Sequence, residues 1–242
     1  MAAGRRAGRQ ALVAWAIIAV AVTGLVHLTV WIPGIGNLGS ALIALAFLAA
    51  PVMLDRLRGE DLLDDGFTTD PVGRSLRIAG LTMLVIFPLF VFGYVAFYEI
   101  ACHTKSLRTL VPPGMCARYL GSHGMHWPAV SWDLLQFCAV QLVVVALPEE
   151  LFFRGCLLRL LEQRFPPRHR IAGGGVGLAL VLSAAAFAIV HLPKDGDPRA
   201  LATFFPGLMF GWMRSATGSI FASTLTHAGS NILVRLLDLS VV

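Results

Sequence analysis

The sequence predicts an all-α fold, a polytopic bundle of about seven transmembrane helices, and three observations carry that prediction. Hydrophobic residues make up 57% of the 242 positions and charged ones only 14%, with a mean hydropathy of +0.74. A soluble domain of this size needs a polar shell that such a composition cannot supply. Uncharged runs of roughly the length that crosses a bilayer recur along the whole chain. Arginines gather at the margins of those runs, as they do in membrane proteins. One membrane domain is expected, with N-terminal helices and loops over 1–131 and a helical core over 132–242.

The first run, Ala11 to Trp31, follows Arg5, Arg6 and Arg9. It is long for the apolar region of a signal peptide and no small-x-small cleavage site follows, so it reads as a retained anchor. A second run covers about Gly39 to Leu54. Asp55 to Arg77 is a charged loop carrying Arg56, Arg58, Arg74 and Arg77 among six acids. Ile78 to Tyr98 is a third span. Glu99 to Ser131 is a long connector holding Cys102, Cys116 and Pro112-Pro113.

Asp133 opens a fourth helix running to about Gln163, interrupted by Glu149, Glu150, Arg154 and Arg159. Pro166-Pro167 ends it, because proline breaks the helical ladder and restricts the residue before it. Ile171 to Leu192 is the fifth span. Its start, Gly173-Gly174-Gly175-Val176-Gly177, lacks the lysine and preceding strand of a phosphate loop and reads as small residues for close helix packing. Ala200 to Met213 is short and bounded by Arg199 and Arg214, whose side chains can snorkel. The last span runs from Gly218 to about Leu239. No internal repeat is present.

The net charge of +5 does not point to nucleic acid, since the basic residues sit at helix ends rather than in a patch interleaved with aromatics. With the N-terminus cytoplasmic, the inner segments hold thirteen Lys and Arg and the outer ones six, which sets the expected orientation. There is no CxxC pair among Cys102, Cys116, Cys138 and Cys156, so a thiolate zinc site is not expected. Cys138 and Cys156 lie in an apolar helix. Cys102 and Cys116 share a loop and are either two thiols or, if that loop is extracytoplasmic, a disulfide.

Ionisable groups inside hydrocarbon cost about 2.5–3.5 kcal/mol each and normally face the protein interior. Glu150 and Arg154 are four apart, so they share a helix face and can pair. Glu149 points about 100° away and is left for chemistry. Phe187 and His191 are likewise four apart near the end of the fifth span, and His227 and Asn231 on the last. Alone, each of these polar residues is a packing residue or interhelical glue. Together they supply a base, two imidazoles and an amide. If the fourth and fifth helices are antiparallel neighbours, Glu149 and His191 lie within roughly 6 Å of the same depth.

These motifs, Glu149-Glu150-x-x-x-Arg154, Phe187-x-x-x-His191 and His227-x-x-x-Asn231, resemble those of the CAAX prenyl endopeptidase and bacteriocin-processing family (CPBP, formerly grouped with the Abi proteins). The resemblance covers roughly Trp132 to Leu237. It implies a glutamic intramembrane protease in which Glu149 activates a water, with His191 helping to hold it. It also implies that Glu150 and Arg154 brace the site beside Phe187, and that His227 and Asn231 donate to the oxyanion. An amide at Asn231 and the absence of HExxH speak against zinc, so no metal and no cofactor is expected. The expected partners are the lipid bilayer and a membrane-protein or lipid-modified peptide substrate, in the inner membrane of a bacterial cell. Because the fifth span exits near His191 on the outer side, the pocket is expected to open outward. That suits exported proteins, including C-terminal sorting tails of the kind processed by the family's myxosortase-like branch. The competing reading is a non-catalytic transporter or scaffold with a buried Glu, His and Arg network, although the paired broken helices of such folds are not evident.

Overall fold

The computed structural model of the chain describes residues 2–31, 36–121 and 124–241. Helices α1 (Ala2–Trp31), α2 (Gly36–Arg58) and α3 (Val72–His103) are followed by a connector containing the single turn α4 (Met115–Arg118). The long helix α5 (Trp132–Arg164) comes next, then a hairpin of β1 (His169–Ile171) and β2 (Gly174–Val176). Helices α6 (Leu178–Asp195), α7 (Phe204–Thr217) and α8 (Phe221–Val241) complete the chain. Each of the seven apolar runs thus forms a helix, and the fold is all-α apart from the hairpin. The stretches Ala3–Leu28, Leu38–Arg58, Val72–His103 and Trp132–Arg164 are long and apolar enough to cross a membrane; Leu178–Pro193 is a shorter apolar helix.

The core lies where α5 meets α1, α2 and α6. Phe47 of α2 sits 5.6 Å from the rings of both Phe152 and Phe153, and Phe153 packs edge-on against Phe187 of α6. α3 packs on α8 and α7 and turns Leu81, Leu84, Leu89 and Phe92 outward. In water such a face would be an aggregation hazard, but lipid is its natural solvent. Small residues set the helix spacing. A Cβ on Gly207 of α7 would lie 3.3 Å from Ala184 of α6, so the two backbones meet as closely as a side chain allows.

Three departures from the sequence reading have physical causes. The glycine run does not open the fifth helix. Ile171 pairs with Gly174 across a two-residue turn, Ala172-Gly173, with both φ values positive, the turn type that suits strand twist. Gly174 then lies so close to Trp212 that a Cβ would come within 2.4 Å of the indole, and Trp212 Nε1 donates to Ile171 O at 2.7 Å. Glycine is needed there for contact with an aromatic ring and not for helix packing, so α6 starts only at Leu178. Secondly, Pro198–Thr203 forms a 3₁₀ turn ahead of α7, with the Asp197 side chain accepting from Arg199 N at 2.8 Å. Thirdly, α5 is not a uniform α-helix. It widens to π geometry at Gln141–Ala146 and again at Leu151–Leu157, on either side of Pro148. Proline withholds an N–H and crowds the preceding turn, and wide turns absorb that mismatch.

The two ends of the bundle are tied differently. At one end Arg159 of α5 reaches three acids of the α2–α3 region, donating to Asp65 Oδ1 (2.6 Å), Glu60 Oε2 (2.7 Å) and Asp55 Oδ1 (2.9 Å). At the other, Cys102 at the end of α3 forms a disulfide with Cys116 in α4. Tyr94 donates to Asp238 of α8 at 2.5 Å, and Arg199 Nη1 donates to Leu110 O in the disulfide-closed loop at 2.5 Å.

Candidate active site

The acidic pair sits on the α turn Leu147–Glu150 between the two π segments, and both carboxylates are buried. As the spacing required, Glu150 pairs with Arg154: Oε1 lies 3.0 Å from Arg154 Nη1. The same oxygen accepts from His227 Nδ1 at 2.9 Å. The arginine is 1% exposed and lies over the face of Phe187, with its guanidinium carbon 4.1 Å from the ring centre, and its Nη2 reaches Gly207 O at 3.5 Å. A buried cation is tolerable only with such compensation from a carboxylate and an aromatic face.

Glu149 points the other way, into a chamber of about 370 Å³ between α5, α6, α7 and α8 that Gln141, His191, Thr203, His227 and Asn231 also line. Its Oε2 lies 4.0 Å from His191 Nε2 and 3.8 Å from His227 Nε2. The imidazoles are held from behind. His191 Nδ1 is 2.8 Å from Phe187 O, and His227 Nδ1 is 2.9 Å from the Glu150 carboxylate. Both partners can only accept, so each Nδ1 carries the proton and each Nε2 faces Glu149. The rings are also clamped by aromatics. Phe187 meets His191 edge-on at 4.6 Å, and Phe210 stacks on His227 at 5.0 Å with planes 16° apart.

These separations exceed a hydrogen bond but suit a water between the groups. A water about 2.8 Å from both Glu149 Oε2 and either Nε2 subtends roughly a right angle there, within the range a water's donors and lone pairs serve. Asn231 Nδ2 donates to Gln141 Oε1 at 2.8 Å. In this arrangement Asn231 is the donor and its second N–H is left for the chamber.

All four expected reactive residues, Glu149, His191, His227 and Asn231, therefore line one cavity, and Glu150, Arg154 and Phe187 surround it. The Glu150–His227 contact, Gln141 and Phe210 were not anticipated. Gln141 had a visible signal, as an amide inside the apolar run from Phe137 to Ala146. Phe210 had none, since a phenylalanine in an apolar helix is ordinary. Among the described residues, no group of three His, Cys, Asp or Glu side chains is placed to hold a metal ion.

Residues 131–233 match the family model described as Rce1-like, type II CAAX prenyl endopeptidase Rce1-like. No curated protein and no solved structure matches the chain.

Proposed function

From the Rce1-like, CPBP-family character of residues 131–233, a protease family, we propose that the protein is a glutamic endopeptidase. It hydrolyses a peptide bond of a membrane-associated protein, such as a C-terminal sorting tail, inside the bilayer. The observation that carries this reading is the convergence of two Nε2 atoms on the Glu149 Oε2 across gaps of 3.8 and 4.0 Å.

In this mechanism a water bridges Glu149 and His191. Glu149 takes its proton as the oxygen attacks the scissile carbonyl carbon, and the carbon–oxygen double bond opens to an oxyanion. Asn231 donates to that oxyanion from the N–H that Gln141 leaves available. His227, held at Nδ1 by Glu150, is the second donor: its Nε2 takes up a proton from solvent ahead of the attack and donates it in a hydrogen bond to the oxyanion. Donors set in place before the reaction contribute about 2.7–4 kcal/mol each. The proton held by Glu149 passes to the leaving amine as the carbon–nitrogen bond breaks. Burial beside Phe187 and Phe210 keeps bulk water from screening these interactions.

The carboxylate–imidazole–amide set supports a water mechanism without metal or other cofactor. Hydrolysis abolished by a chelator and restored by zinc would overturn that part. Glu149→Gln is the decisive variant. It is expected to fold as the parent does and to lose about 10²–10⁴-fold in cleavage of a membrane-tail substrate. Retained cleavage sinks the proposal. A transporter reading predicts instead that the same variant alters an ion flux, with no cleavage in the parent.

A further inference from the structure

The two ends of the bundle differ in chemistry, and the chamber belongs to one of them. His191 lies one turn before the end of α6, and Thr203 closes the Pro198–Thr203 turn that leads into α7. Arg199 of that same turn is hydrogen-bonded to Leu110, inside the loop that Cys102–Cys116 closes. The mouth of the chamber and the disulfide are therefore at the same end. In the opposite direction the bundle below Glu149 is filled by Glu150, Arg154, Phe187 and Phe210 and is closed beyond them by the Arg159 cluster.

Two independent indicators assign a side to these ends. Disulfides persist in oxidising compartments and not in the bacterial or eukaryotic cytosol. Lys and Arg of short loops collect on the cytoplasmic side. The end away from the chamber carries Arg56, Arg58, Arg74, Arg77, Arg164, Arg168 and Arg170. The chamber end carries Lys105, Arg108, Arg118, Lys194 and Arg199 over its loops and the adjoining end of α6, one of which, Arg199, is paired with Asp197. Charge and disulfide agree.

We propose that the chamber opens on the exported, oxidising face of the membrane, with the N-terminus cytoplasmic. Its substrate is accordingly an exported protein held by an apolar tail and cut at the exported end of that tail. The nature of the cut rests on the endopeptidase reading, whereas the face rests on charge and disulfide alone. A lipid-modified C-terminus presented from the cytosol meets the filled end of the bundle and does not reach Glu149.

The test uses the full chain in a bacterial membrane with Cys138 replaced by alanine, so that no partly accessible free thiol remains. Single cysteines replace Leu201, exposed beside the chamber mouth, and Arg56, exposed at the other end. A membrane-impermeant maleimide is expected to label Leu201→Cys in cells with a permeabilised outer membrane and Arg56→Cys only in inverted vesicles. The reverse pattern overturns the proposal whether or not the protein cuts anything. Beside this, two reporters share one apolar segment, one with its soluble part exported and the other with it cytosolic. Release of the exported reporter alone, lost in Glu149→Gln, supports the proposal, and release of the cytosolic one alone overturns it. The expected labelling with neither reporter cut upholds the face and overturns the endopeptidase reading.

Discussion

The ion pair beneath the chamber yields a quantitative prediction. Glu150 and Arg154 are 0% and 1% exposed and 3.0 Å apart. Removing either partner leaves the other charge buried, at a cost of about 3–5 kcal/mol. Arg154→Met also removes the guanidinium from the Phe187 face, an interaction of about 2 kcal/mol when desolvated. Glu150→Gln keeps an oxygen for His227 Nδ1 but leaves Arg154 without a counter-charge. Each single variant is expected to be destabilised by about 3–5 kcal/mol, with Arg154→Met the worse. The double variant removes both charges and replaces the arginine stem with a side chain of similar shape, so it is expected to be more stable than either single one. The assay is a double-mutant cycle by denaturant unfolding in detergent micelles, paired with cleavage. The double variant should recover stability without recovering activity, because His227 no longer has a charged partner behind it. Additive losses of stability would refute the argument that burial of an unpaired charge sets the cost. Full activity in the double variant would refute the positioning role of Glu150.

Three further outcomes follow from the contacts described. Asn231→Ala is expected to lower kcat about 10²–10³-fold, the loss of one oxyanion donor. Gln141→Leu should lower kcat less and leave KM near the parent value, because it frees the amide to turn without removing it; an equal rise in KM would assign Gln141 to substrate binding instead. At the opposite end, burial pushes the Asp65 carboxyl up to about 7, with Asp55 acting in the same direction and Arg159 opposing. A raised value in the folded state means that folding is favoured by the proton. Stability should therefore fall as pH rises from about 4 to about 7, by at most about 4 kcal/mol. Asp65→Asn keeps an acceptor for Arg159 and does not titrate, so its advantage over the parent should grow across that window; parallel pH profiles would remove the basis for it.

What could be read from the sequence depended on the range of the interaction. Hydropathy located the seven apolar runs that form helices, four of them long and apolar enough to cross a membrane, because a segment in lipid must satisfy its own backbone. The Glu150–Arg154 pair was legible because both partners lie on one helix face, fixed by the pitch. The loop pairing of Cys102 with Cys116 was open to the chain and is realised. Glu150 with His227, and Asn231 with Gln141, join α5 to α8, and no local periodicity encodes which faces of separate helices meet. The glycine run misled because glycine serves both close helix packing and left-handed turns, and only Trp212 on a distant helix decides between them here. The irregular winding around Pro148 was not anticipated, because neither the proline nor its neighbours reveal how the backbone accommodates it.

That accommodation sets helix regularity against the reaction. Each wide turn holds a residue more than ordinary winding would, and one residue is worth about 100° of rotation. Deleting a single position such as Val144 would let α5 relax to uniform pitch and firmer backbone bonding. The same deletion would swing one flank of the helix round relative to the other, so that Gln141 and the acid pair could not both face α8. The irregular winding therefore keeps two differently phased stretches of a single rod aimed at the same hollow.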